Sequence, residues 1–380
     1  MKQPQVSQQN EPEAPRLAPR GRGAAFNPSG RFEPRHLIPD PEALAREPAP
    51  YRLPTTIVEE HARSALARNN SPDIPFTFSL NPYRGCEHGC AYCYARPYHE
   101  YLGFSAGLDF ETKIVVKRNI AHLLEQTLRR PSWKPQPIAL SGATDPYQPL
   151  ERQLQLTRAC LEVLLRYRNP VVIVTKNALI RRDLDLLTEM ARRELVFVWI
   201  SVTSLQEEIT ACLEPRTARP ALRLRTIETL SQAGIPVGVL AAPVIPGLTD
   251  EELPAILKAA THAGARWAGY TVLRLPGAVR TIFLDALQRH FPNRYNRVIR
   301  RLKAIRGPSL NDTAPGRRLH GAGKEAELLA QLFMLSCRRL GLNHTPPVLR
   351  TDHFCRPGNQ RSLFEQTDGR PSAPYHPDSL

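Results

Sequence analysis

No stretch of the 380 residues is apolar for long enough to span a membrane, and the start, Met1-Lys2-Gln3-Pro4-Gln5, lacks the apolar run of a secretory leader. Both absences lead us to expect a soluble, cytoplasmic protein. Cysteine is sparse: Cys160, Cys212, Cys337 and Cys355 stand singly, and no two CxxC pairs occur. Neither a disulfide framework nor a zinc site built from two such pairs is therefore expected. Lysine is scarce while arginine is abundant, and the formal charge is +15. Such an excess favours an anionic partner, DNA or RNA first, although an arginine-rich skew also follows from GC-rich coding. Acidic residues almost vanish between Gln288 and Lys324, where Asp312 alone faces Arg289, Arg294, Arg297, Arg300, Arg301, Lys303, Arg306, Arg317 and Arg318. Arg294, Arg297, Arg300 and Arg301 recur at spacings that gather them on one helical face. Gly321-Ala322-Gly323-Lys324 lacks the strand, the full glycine spacing and the Ser/Thr of a phosphate-binding loop.

The ends carry little hydrophobic pattern. Residues 1–70 read as a largely extended or disordered arm, within which Arg20-Gly21-Arg22-Gly23-Ala24 can touch phosphates, and 357–380 read as a flexible tail. In the core, over 71–282, short apolar runs alternate with helical patterns: Phe76 to Leu80, Ile138 to Leu140, Val171 to Val174, Val196 to Ile200, Val237 to Ala241 and Tyr270 to Leu275. Strands separated by helices imply βαβ units and a parallel sheet. Leu154, Leu161, Leu164 and Leu165 set one helix over Glu151 to Arg166. Ser204 with Glu207, and Thr249 with Glu252, read as capping boxes, and Gly234 before Pro236 as a helix stop. A basic helical region, 283–356, follows.

One segment carries specific chemistry: Asn81-Pro82-Tyr83-Arg84-Gly85-Cys86-Glu87-His88-Gly89-Cys90-Ala91-Tyr92-Cys93-Tyr94-Ala95-Arg96. Three thiolates at CxxxCxxC can each hold one iron of a cubane cluster, leaving the fourth iron without a protein ligand. An open metal position marks a catalytic site, whereas a structural site is closed. The same cysteines can alternatively hold zinc with His88 or His99 as a fourth ligand.

This segment is similar to the cluster loop of the radical S-adenosylmethionine (SAM) superfamily, with the aromatic Tyr92 just before the last cysteine. Its flanks, Asn81-Pro82-Tyr83 and Cys90-Ala91-Tyr92-Cys93-Tyr94, resemble the branch related to spore photoproduct lyase. The resemblance implies an α/β fold, a partial (β/α)6 TIM-like barrel, with function gathered at the C-terminal ends of the strands. It implies a [4Fe-4S] cluster on Cys86, Cys90 and Cys93, and SAM at the open iron. Tyr92 would position the adenine, Thr144 and Asp145 would accept from the cofactor's ammonium, Lys176 would pair with its carboxylate, and Ser201 would bond the carboxylate or ribose. Tyr94 falls where the branch has a radical-relay tyrosine. Thr144-Asp145-Pro146 also reads as an ordinary turn, and Ser201 as the start of one. The branch's cysteine hydrogen donor aligns with Gly142, which has no thiol, so repair of spore photoproduct by that route is not expected.

The resemblance thus implies a radical SAM enzyme that reductively cleaves SAM to a 5′-deoxyadenosyl radical, served by a reductant such as flavodoxin or ferredoxin. Its substrate would be DNA or RNA before a protein or small metabolite. A non-catalytic, metal-stabilised nucleic-acid-binding protein is the second reading. Oligomeric state is not legible.

Overall fold

Val171–Thr175 and Val196–Ser201 are β-branched and aromatic almost throughout, and nearly every residue in them is buried. Runs of that kind suit strands covered on both faces. The computed structural model describes residues 18–32, 52–140 and 142–357. Its main sheet contains β2 (Leu66–Arg68), β3 (Phe78–Leu80), β6 (Ile138–Leu140), β7 (Val171–Thr175), β8 (Val196–Ser201), β9 (Val237–Val244) and β10 (Trp267–Val272). The spatial order is β10-β9-β8-β7-β6-β3-β2. Six of these strands run parallel, and only β2 is antiparallel to its neighbour. The six are the apolar runs of the sequence, the last beginning three residues earlier than expected. Helices cross between consecutive parallel strands, and the sheet is an open α/β partial barrel with all parallel strand ends at one mouth.

A second sheet was not legible. β1 (Thr56–Glu59) lies parallel to β5 (Lys113–Val116), and β4 (Tyr83–Arg84) lies antiparallel to β5. β1 and β2 fall within the stretch read as an arm, and residues 18–32 also pack: Ala24 is fully buried and Arg22 nearly so. The arm expectation is therefore revised for these described residues. Their order comes from hydrogen bonds to a distant partner, since Gly23 N and Ala24 N both donate to the Glu111 carboxylate, at 3.0 and 2.9 Å. Arg22 donates to the Glu111 and Leu53 carbonyls rather than facing outward for phosphate. The tail lies outside the described residues apart from Pro357.

Three local expectations change. The helix over 151–166 is two helices, Glu151–Leu154 and Leu156–Tyr167, broken at Gln155 with φ 51°. The Glu151 carboxylate causes the break by accepting from Thr157 N at 3.1 Å and capping the second helix. Neither capping box forms, because Glu252 reaches across to Ser204 Oγ and Leu205 N, while Thr249 Oγ1 accepts from Ile245 N. The arginine face is half neutralised: Arg297 pairs with Glu251, and Arg301 with Asp250 and Glu325. Arg306 is buried and donates to the carbonyls of Val272, Leu273, Arg317 and Leu319. Arg318 pairs with Asp73. Gly234 stops the helix Pro220–Gln232 with φ +74°, as expected.

Beyond β10, helices Val279–His290, Pro292–Arg306 and Lys324–Leu340 close the far edge. Phe333 of the last helix lies 4.6 Å from the ring of Tyr270 on β10. No helix is long and apolar enough to cross a membrane among the described residues.

Candidate functional site

The cysteine loop is held from all sides by its backbone. Gly85 and Gly89 take left-handed φ of +78° and +67°, which turn the loop back on itself. Cys86 N donates to Phe110 O, Ala91 N to Leu213 O, and Glu87 N to Gln148 Oε1, each at 2.9 Å. Gln148 Nε2 returns a bond to Gly85 O. Beneath the loop lies fully buried Arg96, whose guanidinium donates to Cys90 O, Ala106 O, Gly107 O and Glu111 Oε1. Arg96 thereby ties the loop, through Cys90 O, to Glu111 and to the backbone at Ala106 and Gly107.

None of the seven cysteines is joined in a disulfide; Cys86 and Cys90 are buried and Cys93 partly exposed. Burial raises the pKa of Cys90, helped by Glu214 and opposed by Lys176. Cys93 is raised by burial and by the neighbouring Cys86 thiol. Among the described residues no three His, Cys, Asp or Glu side chains converge as they must about a single ion. Three thiolates that each take a separate iron of a cubane need no such convergence.

Neither histidine proposed for a zinc ligand is free. His99 Nε2 lies 3.0 Å from the Lys113 carbonyl, and its ring packs on Phe104 and Phe110. His88 Nδ1 lies 3.4 Å from Asp145 Oδ2 and its Nε2 3.1 Å from Asn177 Nδ2. Burial would discharge His88, but Asp145 and the Cys86 thiol outweigh it and push its pKa up to about 10.

Around the mouth, the strand-end residues divide by role. Asp145 is already committed: Oδ1 accepts from Thr175 Oγ1 at 2.7 Å and Tyr147 N at 2.8 Å, and Oδ2 from Lys176 N at 2.8 Å. With His88 as a further partner, this carboxylate holds the loops together instead of pointing outward as an acceptor. Thr144 Oγ1 leans on Tyr83 O at 3.4 Å. Lys176, after β7, is buried, and its Nζ donates to Ala242 O at 3.0 Å and lies 4.0 Å from Glu214. Burial lowers its pKa, which the Cys90 thiol partly restores. Ser201 is buried at the end of β8, where its carbonyl accepts from Arg223. Tyr94 donates from its hydroxyl to Gly142 O at 2.6 Å, and the Arg274 guanidinium lies 5.2 Å over its ring. Cys93, Tyr94 and Lys176 thus face one region of the mouth.

Sequence reasoning missed Glu214. Its buried carboxylate receives Tyr92 OH, Thr203 Oγ1 and the fully buried Arg223. The adjoining backbone ties the cysteine loop to the end of β7, with Arg216 N donating to His88 O and Ala218 N to Lys176 O. An acidic residue ahead of Pro215-Arg216 gives no sign that it is buried. Glu111, Arg96 and Gln148 were missed for the same reason.

With this geometry in place, the family model described as the radical SAM superfamily matches residues 80–260. An uncharacterized protein of Mycobacterium tuberculosis is 40% identical over 252 residues, which is 65% of this chain and 74% of that protein. An uncharacterized protein of Methanocaldococcus jannaschii is 28% identical over 196 residues, 52% of this chain and 70% of that one. Among solved structures, spore photoproduct lyase complexed with dinucleoside spore photoproduct superposes with a TM-score of 0.53 at 14% identity, over 75% of this chain and 80% of that chain. At that identity the likeness is one of fold.

Proposed function

Because this chain belongs to the radical SAM superfamily, we propose that Cys86, Cys90 and Cys93 carry the [4Fe-4S] cluster that the family implies, and that SAM binds beside it at the barrel mouth. The observation that carries this reading is the set of three undisulfided thiols on one backbone-clamped loop, with the buried amine of Lys176 acting electrostatically on two of them. Soft thiolates suit iron-sulfur clusters, so the donor chemistry fits. When bound, the cluster supplies the electron that cleaves the sulfonium of SAM to a 5′-deoxyadenosyl radical, which removes hydrogen from a substrate.

The chain's own residues supply position and dryness. Lys176 offers a buried cation for the cofactor carboxylate, strengthened by exclusion of water. Tyr92, fixed through Glu214, sets the loop backbone for the adenine, and Ser201 and Thr144 present hydroxyls from the ends of β8 and β6. Asp145 is reassigned from ligand to positioning residue, since its oxygens already accept four groups. Tyr94 is the candidate catalytic residue, a phenol held at Gly142 where no thiol stands. The net charge favours an anionic substrate, DNA or RNA before a protein or metabolite, although the arginines of 289–318 are mostly engaged inside the protein.

Anaerobic reconstitution with iron and sulfide, reduction with dithionite and addition of SAM should give 5′-deoxyadenosine, and Cys93→Ala should abolish it. A fully clustered protein that forms none, and binds nucleic acid with a steep salt dependence, would favour the metal-stabilised binding protein instead.

A further inference from the structure

A recess of about 400 Å³ opens between the loop joining β1 to β2 and the start of the cysteine segment. That size lies within the range of small-ligand pockets, roughly 300–1,000 Å³. Arg63, Arg84 and Lys117 bring three cations to its lining, and Glu60 is the one carboxylate there. Arg84 meets Glu60 twice, Nη2 to Oε1 at 3.0 Å and Nε to Oε2 at 2.9 Å, so that pair is internally balanced. Lys117 and Arg63 are then left as surplus positive charge. The Lys117 ammonium donates to Asn81 O at 3.2 Å, its one hydrogen-bond acceptor among the described residues, although an ammonium has three N–H groups. Burial, and next the neighbouring Arg84, hold the Lys117 pKa below its ordinary value. An anion entering the recess would counter the repulsion from Arg84 and give the ammonium a partner.

The recess adjoins the mouth. Asn81 forms part of both: it lines the recess, and its Oδ1 accepts from Ala143 N at 3.1 Å in the strand-end loop. Gly142, whose carbonyl receives the Tyr94 hydroxyl, sits against Ser79, another lining residue, with 3.7 Å between a Cβ built at Gly142 and that of Ser79.

We propose that this recess binds a phosphate group of the substrate, with Lys117 and Arg63 as its cationic contacts and Ser79, whose hydroxyl oxygen accepts from Asn81 Nδ2, as a hydroxyl donor. A phosphate seated there anchors a ligand whose adjoining part reaches the mouth near Tyr94. Use of the recess as a substrate subsite rests on the radical-enzyme reading above, whereas phosphate affinity does not.

The test is calorimetric titration of the full chain with pyrophosphate, with a single-stranded dinucleotide, and with the same dinucleotide carrying an uncharged methylphosphonate linkage. At least one charged probe should bind, and Arg63→Gln should weaken it about tenfold, with Arg63→Gln/Lys117→Gln weakening it further. If pyrophosphate shows the loss, the source is a small phosphate. If only the charged dinucleotide shows it, the source is a phosphodiester strand, and the neutral analogue should bind at least tenfold more weakly. Arg63 is exposed in a loop, so its variant tests the site without disturbing a buried group. No binding of either charged probe, or affinities unchanged in both variants, would overturn the proposal. Substrate-free formation of 5′-deoxyadenosine, measured in parallel, separates the two readings: its loss with binding intact rejects the radical assignment and leaves the recess, and the converse rejects the recess alone.

Discussion

At Glu111 and Arg96 the protein places a charge pair with no solvent exposure at all. Removing one partner of such a pair leaves the other as an uncompensated buried charge, a loss of about 3–5 kcal/mol. Glu111→Gln should therefore lower the stability of the metal-free chain by that order in urea unfolding, and a loss below about 1 kcal/mol would show that the pair is dispensable. His99 yields a pH prediction away from the cysteines. Burial, offset in part by the Lys113 carbonyl, pushes its pKa down to about 4 from an ordinary 6.5. Between those values the unfolded chain binds a proton that the folded chain refuses. The stabilisation is thus complete above pH 6.5 and is lost as pH falls toward 4, by about 3 kcal/mol in full. The urea midpoint should drop between pH 7 and pH 5, and the drop should shrink in His99→Gln. An equal drop in both proteins would count against this residue. What was legible at this scale was the cysteine loop, because its meaning lies in local spacing. Glu214, Glu111 and Arg96 were not legible, because burial of a charge depends on partners 9 to 122 residues away.

The six parallel strands were readable because strands covered on both faces are written as continuous apolar runs. β1, β2, β4 and β5 were not, since they are two to four residues long and most residues of β1 and β2 are exposed. The segment 18–32 was misread for a different reason: proline- and arginine-rich composition carries no periodicity, and its order comes from Glu111. Here a glycine is decisive. A Cβ at Gly23 would lie 1.8 Å from Gly89 O on the cysteine loop, so Gly23→Ala must displace one of the two backbones. The variant should melt several degrees lower, and its reconstituted visible absorbance should bleach faster in air than that of the wild type. Equal bleaching rates would mean that the segment does not shield the loop.

Across the whole molecule, the sheet is finished by its C-terminal helices. Ala326, Leu329, Phe333 and Cys337 of helix Lys324–Leu340 join the main core, and each large side chain of this kind contributes about 1.5–3 kcal/mol. A chain ending at Gly307 should accordingly fail to give a cooperative thermal transition, and a sharp transition near the full-length value would show the barrel to be self-sufficient. The charge of the molecule also reads differently once folded. Arg297 and Arg301 of the expected cationic helix face, with Arg306 and Arg318 beyond it, tie this region to the barrel. Net charge was visible in the sequence; which charges were left unpaired was not.

The latch of Gly23 and Ala24 onto Glu111 spans 87 to 88 residues, and this sets an order of events during synthesis. The cysteine loop is translated before its anchor, so the first segment has nothing to close on until residue 111 has emerged. The last of the three thiols, Cys93, precedes residue 111 by 18 residues, so at roughly 5–20 residues per second the interval between the two lasts about 1–4 s. During it the three thiols are already made, while the first segment is not yet latched beside their loop. Nascent chains arrested before and after residue 111 should differ in how readily a thiol reagent labels Cys93.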